Sequence, residues 1–115
     1  NDIKARRNVA NYYLENIKNP RITLPKVLDW DRHVWHLFII RTEDRKHLQN
    51  YLLGKEIETL IHYPIPPHKQ NAYKEYANLN LPIADLIHDE VLSLPISGVM
   101  SKENIKKVVD ILNKW

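Results

Sequence analysis

The stretch His62-Tyr63-Pro64-Ile65-Pro66-Pro67-His68-Lys69-Gln70 gathers imidazoles, a phenol, an ammonium and an amide among prolines. A proline-stiffened loop loses little entropy on ordering, so a segment of this kind suits hydrogen-bonded recognition of a polar ligand. It ends an apolar run, Ile57 to Tyr63, that reads as a strand. Alternation along a strand sends His62 and Tyr63 to opposite faces unless the strand stops there, and Pro64 provides a stop. On residue pattern alone two readings stay open: a binding loop, or a surface loop in which Tyr63 is a rim residue and His62 a hydrogen-bonded structural one.

His36 lies in the run His33-Val34-Trp35-His36-Leu37-Phe38-Ile39-Ile40-Arg41. Read as a strand, this run puts His36 on the face of Val34, Phe38 and Ile40. There it is either a satisfied core histidine or a group that reaches a pocket. The histidines make no metal set: His33 and His36 point to opposite faces of that strand, prolines separate His62 from His68, and no His-Glu-x-x-His helix pair exists. The close carboxylates Asp29/Asp31, Glu43/Asp44 and Asp89/Glu90 suit helix starts and loops, not a catalytic dyad in a cleft. A Schiff-base lysine needs burial or a positive neighbour to lower its pKa. Lys4, Lys18, Lys26, Lys46, Lys55, Lys69, Lys74, Lys102, Lys106, Lys107 and Lys114 all sit in contexts that read as hydrated.

The elements that must position these groups are short. Residues 2 to 18 repeat apolar side chains at three-to-four spacing and read as a helix, stopped by Asn19-Pro20. Residues 21 to 32 read as a loop. The run 33 to 41, rich in aromatic and β-branched residues on both faces, reads as the central strand. Thr42 is expected to cap a helix to about Leu53, with Glu43 and Asp44 in its first turn and Gly54 as its end. A helical stretch is expected from Lys69 to Ala77, and another from Pro82 with Ala84, Ile87, His88 and Val91 inward. Leu92 to Ile96 reads as a short strand. Ser101 opens the last helix, whose inner face is Ile105, Val108, Val109, Leu112 and Trp115. The expectation is an α+β domain in which helices cover a short mixed sheet.

Composition narrows the function classes. The 115 residues suit one domain, with 43% hydrophobic and 27% charged residues. With no cysteine, thiolate metal sites, disulfides and cysteine nucleophiles are excluded. The net charge of +3 is spread along the chain, so no phosphate-tracking stripe for nucleic acid is expected. No apolar run approaches the length of a membrane span. Two glycines leave no Gly-rich phosphate loop. Asn1-Asp2-Ile3-Lys4 has neither an initiating Met nor a signal-peptide pattern and reads as the interior of a longer protein.

Three stretches carry a family resemblance: Val34 to Arg41, Ile57 to Gln70, and Asp89 to Ser97. They resemble the C-terminal part of the DegT/DnrJ/EryC1/StrS aminotransferases. The opening helix, with Arg6-Arg7-Asn8 and Tyr12-Tyr13, is similar to the helix joining that family's two domains. Thr59 to Pro64 with Pro66-Pro67-His68 resembles the branch acting on nucleotide-linked 3-oxo-6-deoxyhexoses. Glu56 departs from the family, which usually has glycine before the isoleucine.

The resemblance implies that residues 1-115 form a single small C-terminal domain of a fold-type I aminotransferase, with 1-19 the interdomain helix and the large domain outside the chain. It implies pyridoxal 5'-phosphate (PLP) in the full-length enzyme, no cofactor on this fragment, and no activity of the fragment without the cofactor lysine. It also implies a cytoplasmic homodimer acting in aminosugar biosynthesis, with an amino-acid donor such as glutamate and a nucleotide-linked keto-sugar acceptor. His62 and Tyr63 match the family's substrate-side pair, and His36 is expected near the same pocket. A stand-alone binding or regulatory module is the alternative.

Overall fold

The computed structural model describes residues 1–61 and 82–115. Helix α1 covers Asp2–Asn16, capped by Asn1, whose side chain accepts from the Ile3 amide. It is followed by the 3-10 turn Trp30–Arg32, strand β1 at Phe38–Arg41, helix α2 at Arg45–Gly54, helix α3 at Pro82–Glu90, strand β2 at Val91–Leu94, and helix α4 at Lys102–Lys114. The stretch expected to be helical from Lys69 to Ala77 lies outside the described residues.

β1 and β2 pair antiparallel, with Phe38 opposite Leu94 and Arg41 opposite Val91. Thr23 adds an antiparallel bridge to Arg41 on one side, and Leu60 adds one to Ser93 on the other. β1 is therefore flanked on both edges, as its apolar faces predict. The mixed character expected of the sheet is not seen: every pairing among the described residues is antiparallel. α3 runs directly into β2, so Val91 belongs to the strand and not to the inner face of the helix.

The core is one cluster. Tyr13, Trp35, Phe38, Ile40, Leu48, Leu52, Leu92 and Leu112 are fully buried. α1 and α4 pack side by side over it. Tyr13 meets Phe38 edge-on at 5.0 Å between ring centroids, and its hydroxyl donates to the Pro95 carbonyl at 2.6 Å. Ser101 caps α4 as expected, its hydroxyl accepting from the Asn104 amide at 3.1 Å.

Several expected boundaries move: α1 ends at Asn16 and not at residue 18, β2 covers Val91–Leu94 and not Leu92 to Ile96, and the described part of the strand expected from Ile57 is a single bridge at Leu60. Two further shifts have a visible cause. The strand begins at Phe38, not His33, because Trp35 has φ 52°. That left-handed residue breaks the extended run and turns the indole into the core, where it is 1% exposed. Burying a Trp side chain outweighs the roughly 1–3 kcal/mol that such a backbone state costs. α2 begins at Arg45, not beside Thr42. Thr42 is buried, and its hydroxyl accepts from the Asp44 amide at 3.4 Å, which closes a turn before the helix. Glu43 and Asp44 thus precede the first turn, and Asp44 pairs with Arg21 at 3.1 Å.

Candidate functional site

Of the residues singled out in the sequence, His36 lies among those described, while His62, Tyr63, His68 and Gln70 lie outside them. His36 is not on a strand and not in the core. It is exposed, in the segment between the 3-10 turn and β1. The reading of it as a core histidine on the face of Phe38 and Ile40 therefore fails. The cause is again Trp35: its left-handed backbone throws the next side chain out to solvent. His33 and His36 consequently do not take opposite faces of a strand.

The segment carrying His36 is held in two ways. The first is an aromatic stack. The His33 ring lies 3.9 Å from the Trp35 ring at 28°, and its Nδ1 accepts from the Trp35 amide at 3.0 Å. Trp30 and Phe38 flank the same indole at 5.6 and 5.3 Å. The indole Nε1 is buried with no hydrogen-bond partner.

The second is a pair of neighbouring arginines on α1. Arg6 Nη1 donates to the carbonyls of Trp35, His36 and Ile96 at 3.4, 3.3 and 3.4 Å. Its Nε is paired with Asp2 at 2.8 Å. Arg7 donates through Nε to the His33 carbonyl at 3.1 Å and through Nη2 to the Asp31 carbonyl. Carbonyls of the segment before β1, and that of Ile96 beyond β2, are thus collected by α1. In the sequence Arg6 and Arg7 stand between apolar helix positions and contribute to the resemblance to the family's interdomain helix, with no contact assigned to either. Their adjacency at the start of a helix was the available signal, but the partner loop cannot be read from sequence.

On this scaffold His36 presents an imidazole that can donate to or accept from a polar ligand. It is the right kind of group for orienting such a ligand. Among the described residues no group of three or more His, Asp or Glu could hold a metal ion. Nor do they fit a cofactor that needs a lysine. Every described lysine is exposed, and the Lys106 ammonium is held above its ordinary pKa by a hydrogen bond to Asp110, the opposite of what a Schiff base requires.

Residues 1–113 match the model of the DegT/DnrJ/EryC1/StrS aminotransferase family. The chain belongs to that family. It is 54% identical over 114 residues to the dTDP-3-amino-3,6-dideoxy-alpha-D-galactopyranose transaminase of Aneurinibacillus thermoaerophilus, a match covering 99% of this chain and 31% of that protein. Among solved structures it superposes on DesV of S. venezuelae with a TM-score of 0.92 at 36% identity, covering 99% of this chain and 32% of the other. NtdA of Bacillus subtilis, solved with the cofactor PMP bound, matches with a TM-score of 0.84 at 30% identity, covering 96% and 27%. The chain therefore spans about a third of the length of these relatives.

Proposed function

We propose that this chain is the small C-terminal domain of a PLP-dependent aminotransferase that moves an amino group from an amino acid, glutamate in the simplest case, to a nucleotide-linked keto-sugar of the 3-oxo-6-deoxyhexose type. The observation that carries the reading is the 54% identity to a dTDP-aminosugar transaminase across 99% of the chain. A match that continuous favours a shared substrate class over a regulatory or binding module that merely borrows the fold. The described lysines do not fit the cofactor and the chain spans 31% of that relative, which supports a cofactor held elsewhere in the full-length enzyme, where it would supply the chemistry of amino transfer. Residues 1-19, helical over Asp2–Asn16, then make the connection between the two domains.

Within that enzyme His62, Tyr63 and His36 bind the sugar nucleotide. Their role is orientation and hydrogen bonding, which raises the fraction of bound sugar in a reactive pose. The enzyme is a homodimer of the cytoplasm, with no nucleic-acid or membrane partner. No helix among the described residues is long and apolar enough to cross a membrane. Exposed Leu28, Val34 and Val99 are apolar surface that the remainder of an enzyme can cover.

The test is His62→Ala and Tyr63→Phe in the full-length protein, following sugar amination and donor deamination separately. Loss confined to the sugar half supports the assignment. Wild-type amination of the sugar by both variants would sink it.

A further inference from the structure

We infer that Arg6 and Arg7 are positioning residues for the substrate side of the pocket: from α1 they clamp the 31–36 segment and so set where the His36 imidazole stands. The inference rests on the reading of His36 as a sugar-nucleotide contact.

Four features of the structure support it. First, the two guanidiniums bind the carbonyls of Asp31, His33, Trp35 and His36, so four of the six carbonyls of the segment are tied to one helix. Second, Arg6 adds the Ile96 carbonyl, which couples the segment to the chain just beyond β2. Third, the segment carries local costs beside its aromatic stack. Trp35 holds φ 52° and buries an unpartnered indole N–H, costs of the kind that persist only where surrounding structure over-determines them. Fourth, His36 is exposed, so no packing of its own fixes it. Its direction comes from its backbone, and its carbonyl is one of those Arg6 holds. The Asp2 carboxylate pairs with Arg6 Nε and keeps the Nη1 end of the fork turned toward the carbonyls. A lysine has one compact ammonium and cannot keep Asp2 and reach three carbonyls at once.

The experiment compares Arg6→Lys, Arg7→Lys and His36→Ala in the full-length protein. It measures KM and kcat for the nucleotide-linked keto-sugar, KM for the amino donor, melting temperature, and hydrogen exchange across residues 31–37. With the clamp loosened, Arg6→Lys raises the sugar KM roughly tenfold, with kcat falling less than KM rises and the donor KM holding. Exchange at 31–37 rises at the same time. If His36→Ala raises the sugar KM while both arginine variants keep wild-type KM and wild-type exchange, the positioning role is overturned and the His36 reading survives. If His36→Ala leaves the sugar KM unchanged, the His36 reading fails and the clamp's substrate role fails with it. If the arginine variants lower melting temperature and worsen both substrates' KM alike, the clamp only supports the fold and the inference is likewise overturned.

Discussion

Glu56 occupies the left-handed position that ends α2, two residues beyond Gly54, which does not need to be glycine. Glu56 has φ 65°, and no glycine has positive φ. The amides of Glu56 and Ile57 donate back to the carbonyls of Leu53 and Leu52 at 3.0 and 2.9 Å. This is the double hydrogen bond of a Schellman turn, with Ile57 and Leu52 both buried beneath it. The position that favours glycine is thus filled by glutamate, while the glycine sits in the last turn of the helix. The residue that departs from the family pattern is the one under backbone strain.

Two substitutions follow from that mismatch. Glu56→Gly removes the cost of a side chain in the left-handed region and stabilises the protein by about 1 kcal/mol. Gly54→Ala adds a methyl with nothing within 4 Å of it and gains roughly 0.5–1 kcal/mol of helix propensity. Urea unfolding of each single variant and of the pair measures both. A fall in stability for Glu56→Gly would show that its carboxylate contributes more than the backbone costs.

The same turn shows where sequence reading runs out. The N-terminus of α4 was legible because Ser101 and the apolar spacing behind it act locally. The end of α2 was expected at Gly54 on residue type, yet which residue turns left-handed depends on where Ile57 must enter the core. The strand from His33 was expected because aromatic and β-branched residues prefer extended backbone. Tertiary packing overrode that preference: Trp35 reaches the space beside Tyr13 and Phe38 by giving up the strand. His36 was therefore placed on the wrong surface by a locally sound argument, while Arg6 and Arg7 drew no structural role because their partners lie more than twenty residues away in sequence.

Tyr13 predicts an alkaline sensitivity. Burial pushes its phenol well above the ordinary 10.0, since the charged form would lose its hydration. In the unfolded chain the phenol ionises near the ordinary value. Above pH 10 the unfolded state therefore binds fewer protons than the folded one, and stability falls as pH rises. The contribution is fully present below pH 10. Tyr13→Phe removes this dependence and costs about 1 kcal/mol at neutral pH for the lost bond to the Pro95 carbonyl. Thermal melts of the two proteins from pH 7 to 11 should converge as pH rises. Parallel curves would mean that Tyr13 is not the group responsible.

Asn19 joins the two ends of the α1–α4 pair, and its loss should be felt more than that of any surface amide. It is 8% exposed. Its Nδ2 donates to the Leu112 carbonyl at 2.9 Å and reaches the Trp115 carbonyl at 3.4 Å, satisfying the end of α4, while its Oδ1 accepts from the Arg21 amide at 2.9 Å. Asn19→Ala removes the shorter of the two bonds to the Leu112 carbonyl, which keeps only the Trp115 amide at 3.3 Å, takes the acceptor from the Arg21 amide, and costs about 1–2 kcal/mol. Asn19→Asp keeps the acceptor toward Arg21 but turns a carboxylate oxygen toward the carbonyls of α4, so it costs at least as much as alanine near neutral pH. Part of that cost is recovered on acidification, when the carboxyl becomes a donor. Chemical denaturation of both variants at pH 4 and pH 7 checks the ordering. An aspartate variant as stable as wild type at pH 7 would mean that the donor half of this amide contributes nothing to holding α4 against α1.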